Sequence, residues 1–353
     1  MPSSRTCVGV VFGGASGEHT VSIQSAKTVV KALRTGANKS RFEVIPIYVD
    51  RQGSWHETAI AYQVLGDDSY TLPAKLASKK NISGFQGLPQ NSSRIDVWYP
   101  VMHGPNGEDG TMQGLFKLMK KPFVGSGVLG SALAMDKLAM KAAFKAAEIP
   151  QVPYLGVKAS QLSDENYIEE LIKKLEERLS YPCFVKPANL GSSVGITKAL
   201  NKQEVLNGLT KAAKFDQRIV IEKGLIAREL ECAALGHEDL KLSVVGEVRF
   251  DSDWYDYETK YSEGRSTTII PAAIPKSLED EIHKQTKRAC QALSVSGMAR
   301  VDFFYEECIQ KIWINEVNTL PGFTHQSMYP MLWRASGVTL EELVCQLVEA
   351  ARE

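Results

Sequence analysis

The sequence predicts a mixed α/β and α+β chain of two or three domains that opens on a parallel sheet. Its 353 residues are long enough for more than one packed domain. Residues 7–12 are a continuous apolar run, a helical pattern follows from about 21 to 33, and 42–49 are a second apolar run, the order of a β-α-β unit. Far downstream, 300–305 and 311–318 are two strand-like runs across a short polar stretch, which predicts an antiparallel hairpin.

Composition narrows the function classes. The apolar fraction of 44% and charged fraction of 23% are those of a globular protein. Lys+Arg and Asp+Glu balance at 41 each, which removes the broad basic field of a nucleic-acid binder. No apolar run approaches the roughly eighteen residues that span a bilayer, and the apolar run at 7–12 is too short for a signal-peptide core. Six cysteines stand singly without a Cys-x-x-Cys pair, and six histidines lack zinc spacing. The expectation is a cytoplasmic protein with buried free thiols and neither a membrane nor a nucleic-acid partner.

The remaining elements follow in order. Residues 51–93 are polar and read as loops with an edge excursion. Residues 95–102 form a strand that delivers His103. A helical pattern runs from 131 to 147 until Pro150 and Pro153 break it at a boundary or hinge. A charged amphipathic helix is expected over 164–179, strands over 183–186, 218–222 and 229–235, and a closing helix over 339–351.

Several stretches carry chemistry. Residues 186–195, Lys-Pro-Ala-Asn-Leu-Gly-Ser-Ser-Val-Gly, follow a strand. Their glycines let the backbone approach a phosphate, and Lys186 adds a point charge. The terminal Gly-Lys-Ser/Thr of a Walker loop is missing, and in isolation the stretch reads equally as a hairpin turn. Gly125–Gly130 matches a dinucleotide fingerprint only formally, because the strand before it is very short and no β-α-β unit opens there. In the hairpin, alternation puts Arg300, Asp302 and Phe304 on one face and Glu316 with Asn318 on one face of the partner strand, leaving Ile312 and Ile314 on that face too. Two carboxylates and a carboxamide are hard ligands suited to Mg²⁺. After the hairpin, Gly322 permits close approach and Ser327 can cap a helix. Glu18 follows a glycine turn before a helix, where it serves either the helix dipole or a substrate ammonium. His103 ends a parallel strand, where such sheets place ligands. Residues 254–264, aromatic and charged, read as a loop that folds over a site or as an exposed loop.

In this order the motifs closely resemble the D-alanine–D-alanine ligases of the ATP-grasp superfamily. The resemblance runs from 11–19 (Val-Phe-Gly-Gly-Ala-Ser-Gly-Glu-His) through His103–Gly110, Met135-Asp136-Lys137, 186–195, 255–261 (Tyr-Asp-Tyr-Glu-Thr-Lys-Tyr), Arg300-Val301-Asp302, Asn315-Glu316-Val317-Asn318 and Ser327-Met328-Tyr329-Pro330. It implies a three-domain ATP-grasp architecture: an N-terminal parallel-sheet substrate domain at 1–135, a central domain at 136–222 and a C-terminal domain with the metal site at 223–353. It implies that Lys137, Lys186, Ser193 and Lys260 meet the ATP phosphates and that Glu222, Lys223 and Leu225 line the nucleoside, with Glu229 on the ribose. Asp302, Glu316 and Asn318 would hold two Mg²⁺ or Mn²⁺. Glu18 would anchor the first D-alanine with His103 nearby, Arg300 and the Gly322 N–H would form an oxyanion site, and Ser327 with Met328 would receive the second carboxylate. Tyr261, Ser192 and Glu18 would close the loop. The resemblance further implies peptidoglycan precursor synthesis and a homodimer.

Three rivals make different demands. A nicotinamide-dependent oxidoreductase using Gly125–Gly130 requires an acidic residue ending a strand about twenty residues on, where the sequence has a helix. A non-catalytic nucleotide-binding protein would lose the hard ligands or Arg300, and all are present. A ligase with D-serine or D-lactate as acceptor stays open, although the Tyr-Asp-Tyr-x-x-Lys-Tyr loop favours an amine.

Overall fold

The computed structural model describes residues 5–66, 84–191, 194–250 and 266–353. Three sheets follow one another along the chain. The first orders its strands β3-β2-β1-β4, from β1 (Thr6–Gly13), β2 (Phe42–Val49), β3 (Trp55–His56) and β4 (Val97–Val101). β1 pairs in parallel with both β2 and β4, so the chain reverses its direction of travel across the sheet at β1. The loops after β1 and β4 therefore emerge side by side, the place where such sheets hold ligands. Helix α1 (His19–Leu33) buries Ala26, Val29, Val30 and Leu33 against this sheet.

For the 51–93 stretch, of which residues 67–83 lie outside the described residues, the expectation is loops with an edge excursion; β3 is an edge strand there, and a helix is added. A helical turn α2 (Asn38–Arg41) precedes β2, and α3 (Thr58–Gly66) lies within the stretch, burying Ala61 and Val64 beside β2. Its apolar spacing is too short and too uniform to give a clear helical period. After α4 (Thr111–Leu118), the helix expected over 131–147 is two helices, α5 (Val128–Met135) and α6 (Lys137–Ala146). Asp136 between them is extended and caps α6 by accepting from the Ala139 N–H at 2.8 Å.

The second sheet, β5-β8-β6-β7, comprises β5 (Tyr154–Lys158), β6 (Cys183–Pro187), β7 (Thr197–Ala199) and β8 (Arg218–Lys223). One face packs on α7 (Glu165–Arg178) and α8 (Lys202–Ala212) through Val185, Ile219, Ile221, Leu175 and Leu209. The third sheet is β12-β11-β9-β13-β14 with β10 beside β9, from β9 (Arg228–Gly236), β10 (Lys241–Leu242), β11 (Gly246–Phe250), β12 (Ser266–Ile269), β13 (Gly297–Glu306) and β14 (Lys311–Asn318). Helix α9 (Lys276–Leu293) and α6 share one core with it.

The units interlock. Helices α10 (Met328–Ala335) and α11 (Leu340–Ala350) return to the first sheet and place Tyr329, Val344 and Leu347 in the core that contains Val29 and Leu33. Asn38 on α2 fastens them by donating to the Glu341 carbonyl at 2.8 Å. β14 meets the chain just before β5 through Ile314 N–H and the Pro150 carbonyl. No helix among the described residues is long and apolar enough to cross a membrane.

Candidate active site

The second and third sheets bring charged side chains into electrostatic reach of one another, Lys186 of β6 lying near Glu229 of β9 and Glu316 of β14. β6 and β8 turn Cys183, Val185, Ile219 and Ile221 into their core, so alternation puts Lys186 and Glu222 on the opposite face. The Glu222 carboxylate binds Lys186 through one oxygen and Lys141 of α6 through the other, at 2.6 Å. Lys141 is 1% exposed, with its ammonium 5.1 Å from the Tyr154 ring centre. Burial pushes the Glu222 carboxyl up, but Lys141 and Lys186 together hold it well below the usual carboxylate range. Burial likewise lowers Lys186, and Glu222, Glu316 and Glu229 outweigh that effect.

Lys137 opens α6 one turn before Lys141. Its backbone N–H donates to the Ala188 carbonyl and its ammonium to the Leu190 carbonyl at 2.5 Å, tying the helix start to the glycine loop. Burial keeps this ammonium below the usual lysine range against the pull of Glu316. Lys223 is exposed at the end of β8, Leu225 is half-buried on the connection to β9, and Glu229, the second residue of β9, lies near Lys186. Ser192, Ser193, Lys260 and Tyr261 lie outside the described residues.

The hairpin supplies the facing wall. Register sets Arg300 opposite Asn318 and Asp302 opposite Glu316, as alternation predicts. A bulge then shifts the pairing, so that Phe303 faces Ile314. This corrects the placement of Ile312 and Ile314: the extra residue of β14 turns both to the core face with Phe303. Arg300 grips Asp302 with two hydrogen bonds, Nε to Oδ1 at 2.7 Å and Nη2 to Oδ2 at 2.6 Å. The Asn318 amide donates to Asp302 Oδ2 at 3.0 Å, which leaves its carbonyl oxygen as the donor atom for a cation. Two carboxylates and this oxygen are hard donors that fit Mg²⁺ or Mn²⁺ when phosphate oxygens complete the shell. Among the described residues no group of three His, Cys, Asp or Glu makes an all-protein cage.

The first sheet adds a third wall. Ser16 after β1 donates to the His103 carbonyl at 2.6 Å and accepts from the Glu18 N–H at 3.2 Å, joining the two loops at the switch point. A methyl on Gly104 would stand 3.2 Å from Glu18 Oε2 and one on Gly191 would stand 3.5 Å from it, so the carboxylate sits between the first sheet and the glycine loop. His103 is buried, and its Nδ1 donates to the Leu320 carbonyl at 3.0 Å. Its Nε2 is therefore the acceptor for the Ser25 hydroxyl at 3.3 Å, and Ser25 Oγ accepts from the Phe323 N–H at 3.1 Å. The imidazole thus stitches the first sheet to the 320–323 turn. Ser327 stands at the N-cap of α10 but does not cap it through its side chain; its hydroxyl accepts from the Thr324 N–H at 2.9 Å and lies where a side chain on Gly322 would go, 2.7 Å away. Met328 opens α10 directly after it.

Four contributors were not anticipated. Lys141 lies one turn from Lys137 and Glu231 two residues from Glu229, so helical and strand periods could have found both. Ser25 and Tyr48 carry no local motif. Tyr48 bears on the glycine turn through His19, whose buried ring donates from Nδ1 to the Gly14 carbonyl at 2.6 Å and accepts the Tyr48 hydroxyl at Nε2, 3.2 Å away. Burial lowers the pKa of His19. A lowered histidine binds fewer protons folded than unfolded, so its contribution is complete above about pH 6.5 and is lost as pH falls through the folded value. Thermal unfolding followed from pH 7.5 to 5 should show a smaller loss of stability for His19→Asn than for the parent; matching curves would exclude His19 as the titrating group.

A strand-borne lysine wall with a glycine loop, facing an antiparallel sheet that carries hard oxygen ligands, defines an ATP-grasp ligase. The family model described as D-ala D-ala ligase N-terminus matches residues 7–126, and D-ala D-ala ligase C-terminus matches residues 143–349. The D-alanine–D-alanine ligase of Prochlorococcus marinus (strain MIT 9303) is 62% identical over 353 residues, covering all of both chains. Among solved structures, VanG D-Ala:D-Ser ligase from Enterococcus faecalis superposes with a TM-score of 0.80 at 33% identity, covering 99% of this chain and 100% of that one. The D-alanine–D-alanine ligase from Coxiella burnetii gives 0.81 at 30% identity, covering 99% and 94%. The chain belongs to the D-alanine–D-alanine ligase family.

Proposed function

We propose that the chain joins two D-alanines with ATP, giving D-alanyl-D-alanine, ADP and phosphate for peptidoglycan precursor synthesis. The convergence of three walls carries the reading: the ammonium groups of Lys137 and Lys186, the hairpin of Arg300, Asp302, Glu316 and Asn318, and Glu18 lying against Gly104 and Gly191. A carboxylate is a poor electrophile. Its oxygen attacks the γ-phosphorus, ADP leaves, and the acyl phosphate formed has a good leaving group. The amine of the second D-alanine, having released one proton, attacks the acyl carbon. The carbonyl pair moves onto oxygen beside Arg300 and the Gly322 N–H, then returns as phosphate departs with the C–O pair and takes the remaining extra proton from nitrogen.

Lys137 and Lys186, joined by Ser193 and Lys260, hold the phosphates. Glu222, Lys223, Leu225 and Glu229 line the nucleoside, with the Glu222 carboxylate itself committed to its two lysines. Asp302, Glu316 and Asn318 would hold divalent cations, which would supply positive charge to neutralise the transferred phosphoryl group. Glu18 takes the first ammonium and Ser327 with the Met328 N–H the second carboxylate. His103 keeps the 320–323 turn in place, and Ser192 with Tyr261 joins Glu18 to exclude water. The domains are taken as 1–135, 136–222 and 223–353. The protein acts in the cytoplasm as a homodimer, without membrane or nucleic-acid partners.

The deciding assay is ADP release with ATP and Mg²⁺ on D-alanine alone, then with excess D-serine or D-lactate, products being identified by mass. D-alanyl-D-alanine as the main product is the expected result. D-alanyl-D-serine as the main product would transfer the acceptor assignment to that of the Enterococcus faecalis relative, and no turnover with any D-amino acid would overturn the substrate.

A further inference from the structure

We propose that Glu231 is a positioning residue for ligation, the carboxylate that keeps Arg300 aimed at the reacting carbonyl when a divalent cation claims Asp302. The inference rests on the oxyanion role given to Arg300 above. Glu231 sits on β9 directly opposite Asp302 of β13 and shares its face of the sheet. Its oxygen lies 2.8 Å from Arg300 Nε, the same nitrogen that donates to Asp302 Oδ1 at 2.7 Å. The guanidinium thus donates its hydrogen bonds to Asp302 and makes a second, ionic contact at Nε with a carboxylate on the adjacent strand, while Nη2 is bound to Asp302 alone. Nη1 has no hydrogen-bond partner among the described residues, which leaves it as the donor that can meet substrate.

The neighbours of Glu231 show that stability alone does not ask for an acid here. Leu230, Cys232 and Ala234 pack in the core behind β9, and Glu231 is only 9% exposed. A buried ion pair is weak evidence for stability, since apolar residues of similar volume do as well. A functional reason lies in the double duty of Asp302. It is the chief anchor of Arg300 and also one of the proposed cation ligands. A cation on Asp302 withdraws charge from the arginine and frees the guanidinium to rotate. Glu231 is not in the ligand set, so its hold on Nε is undiminished. An arginine stays cationic across the working pH range. The side chain is therefore charged and oriented before the acyl phosphate forms, which is what transition-state stabilisation requires.

The test uses Glu231→Gln, Glu231→Asp and Arg300→Lys in the full chain. Binding of Mg·ADP is measured calorimetrically. With Mg·ADP present, affinity is then measured for D-alanyl-D-alanine and for its phosphinate analogue, whose tetrahedral P–O⁻ stands in for the oxyanion. Glu231→Gln should weaken the analogue and lower kcat by about 10- to 100-fold, while Mg·ADP and the dipeptide bind within about twofold of the parent. Glu231→Asp, which keeps the charge, should recover part of both. Equal losses for every ligand, an unchanged analogue affinity, or an Asp variant no better than Gln would each overturn the proposal, as would failure of both Glu231 variants to fold. Arg300→Lys separates the underlying reading: if it leaves the analogue and kcat untouched, the oxyanion role of Arg300 fails whatever Glu231 does.

Discussion

Replacing Glu222 by Gln should lower the unfolding free energy by about 3–5 kcal/mol and weaken ATP binding together. Glu222 is 4% exposed and is the counter-charge of two ammonium groups, one of them the 1%-exposed Lys141. An amide of the same shape can accept from only one of the two ammonium groups and brings no charge, so Lys141 is left ionised in an apolar setting or must lose its proton. Lys186 retains Glu316 and Glu229 nearby and is affected less. A second substitution tells the stability effect from the binding effect. Lys141→Met in the Glu222→Gln background removes the stranded charge, so denaturant unfolding should show the double variant more stable than Glu222→Gln alone. ATP affinity should not return, because Lys186 still lacks its anchor. Strictly additive losses would mean that the two side chains do not act as a pair.

The legibility of this site in the sequence was uneven, for physical reasons. Strand alternation is rigid, so the facing of Arg300, Asp302, Glu316 and Asn318 followed from spacing alone and holds in the register. Alternation also fails at a single inserted residue, and the bulge that reorients Ile312 and Ile314 has no glycine or proline to announce it. The division of 131–147 into two helices turns on Asp136, a capping residue inside an otherwise unbroken helical composition. Lys141 was not singled out, because burial of a lysine depends on a partner 81 residues away in the chain. His103 was visible as the end of a strand, but its partners Ser25 and Leu320 come from opposite ends of the sequence. Local periods fix which face a residue is on, and only the assembled sheets determine what that face meets.

Asp302→Asn should behave oppositely to Glu222→Gln, removing most of the activity at little cost in stability. The substitution preserves shape, and Arg300 retains Glu231 at 2.8 Å with Glu316 in electrostatic range, so no buried cation is stranded. The unfolding midpoint should move by less than the equivalent of about 1 kcal/mol. Function depends on Asp302 twice over. It is a charged hard ligand for the divalent cation, and a neutral amide oxygen is a poorer one. It also presents two oxygens to the fork of Arg300, whereas an amide offers one acceptor and one competing donor. The combined loss in kcat should be about 10³-fold, the scale set by removing one transition-state donor. The cation concentration needed for half-maximal rate should rise as well. Raising Mg²⁺ should restore nucleotide binding, followed by calorimetry, but turnover only in part, because Glu231 then holds Arg300 through Nε without the pre-set two-point grip of Asp302. Full recovery of turnover at high Mg²⁺ would reduce Asp302 to a cation ligand alone. A large fall in the unfolding midpoint would instead place it with Glu222 among the charges that hold the sheets together.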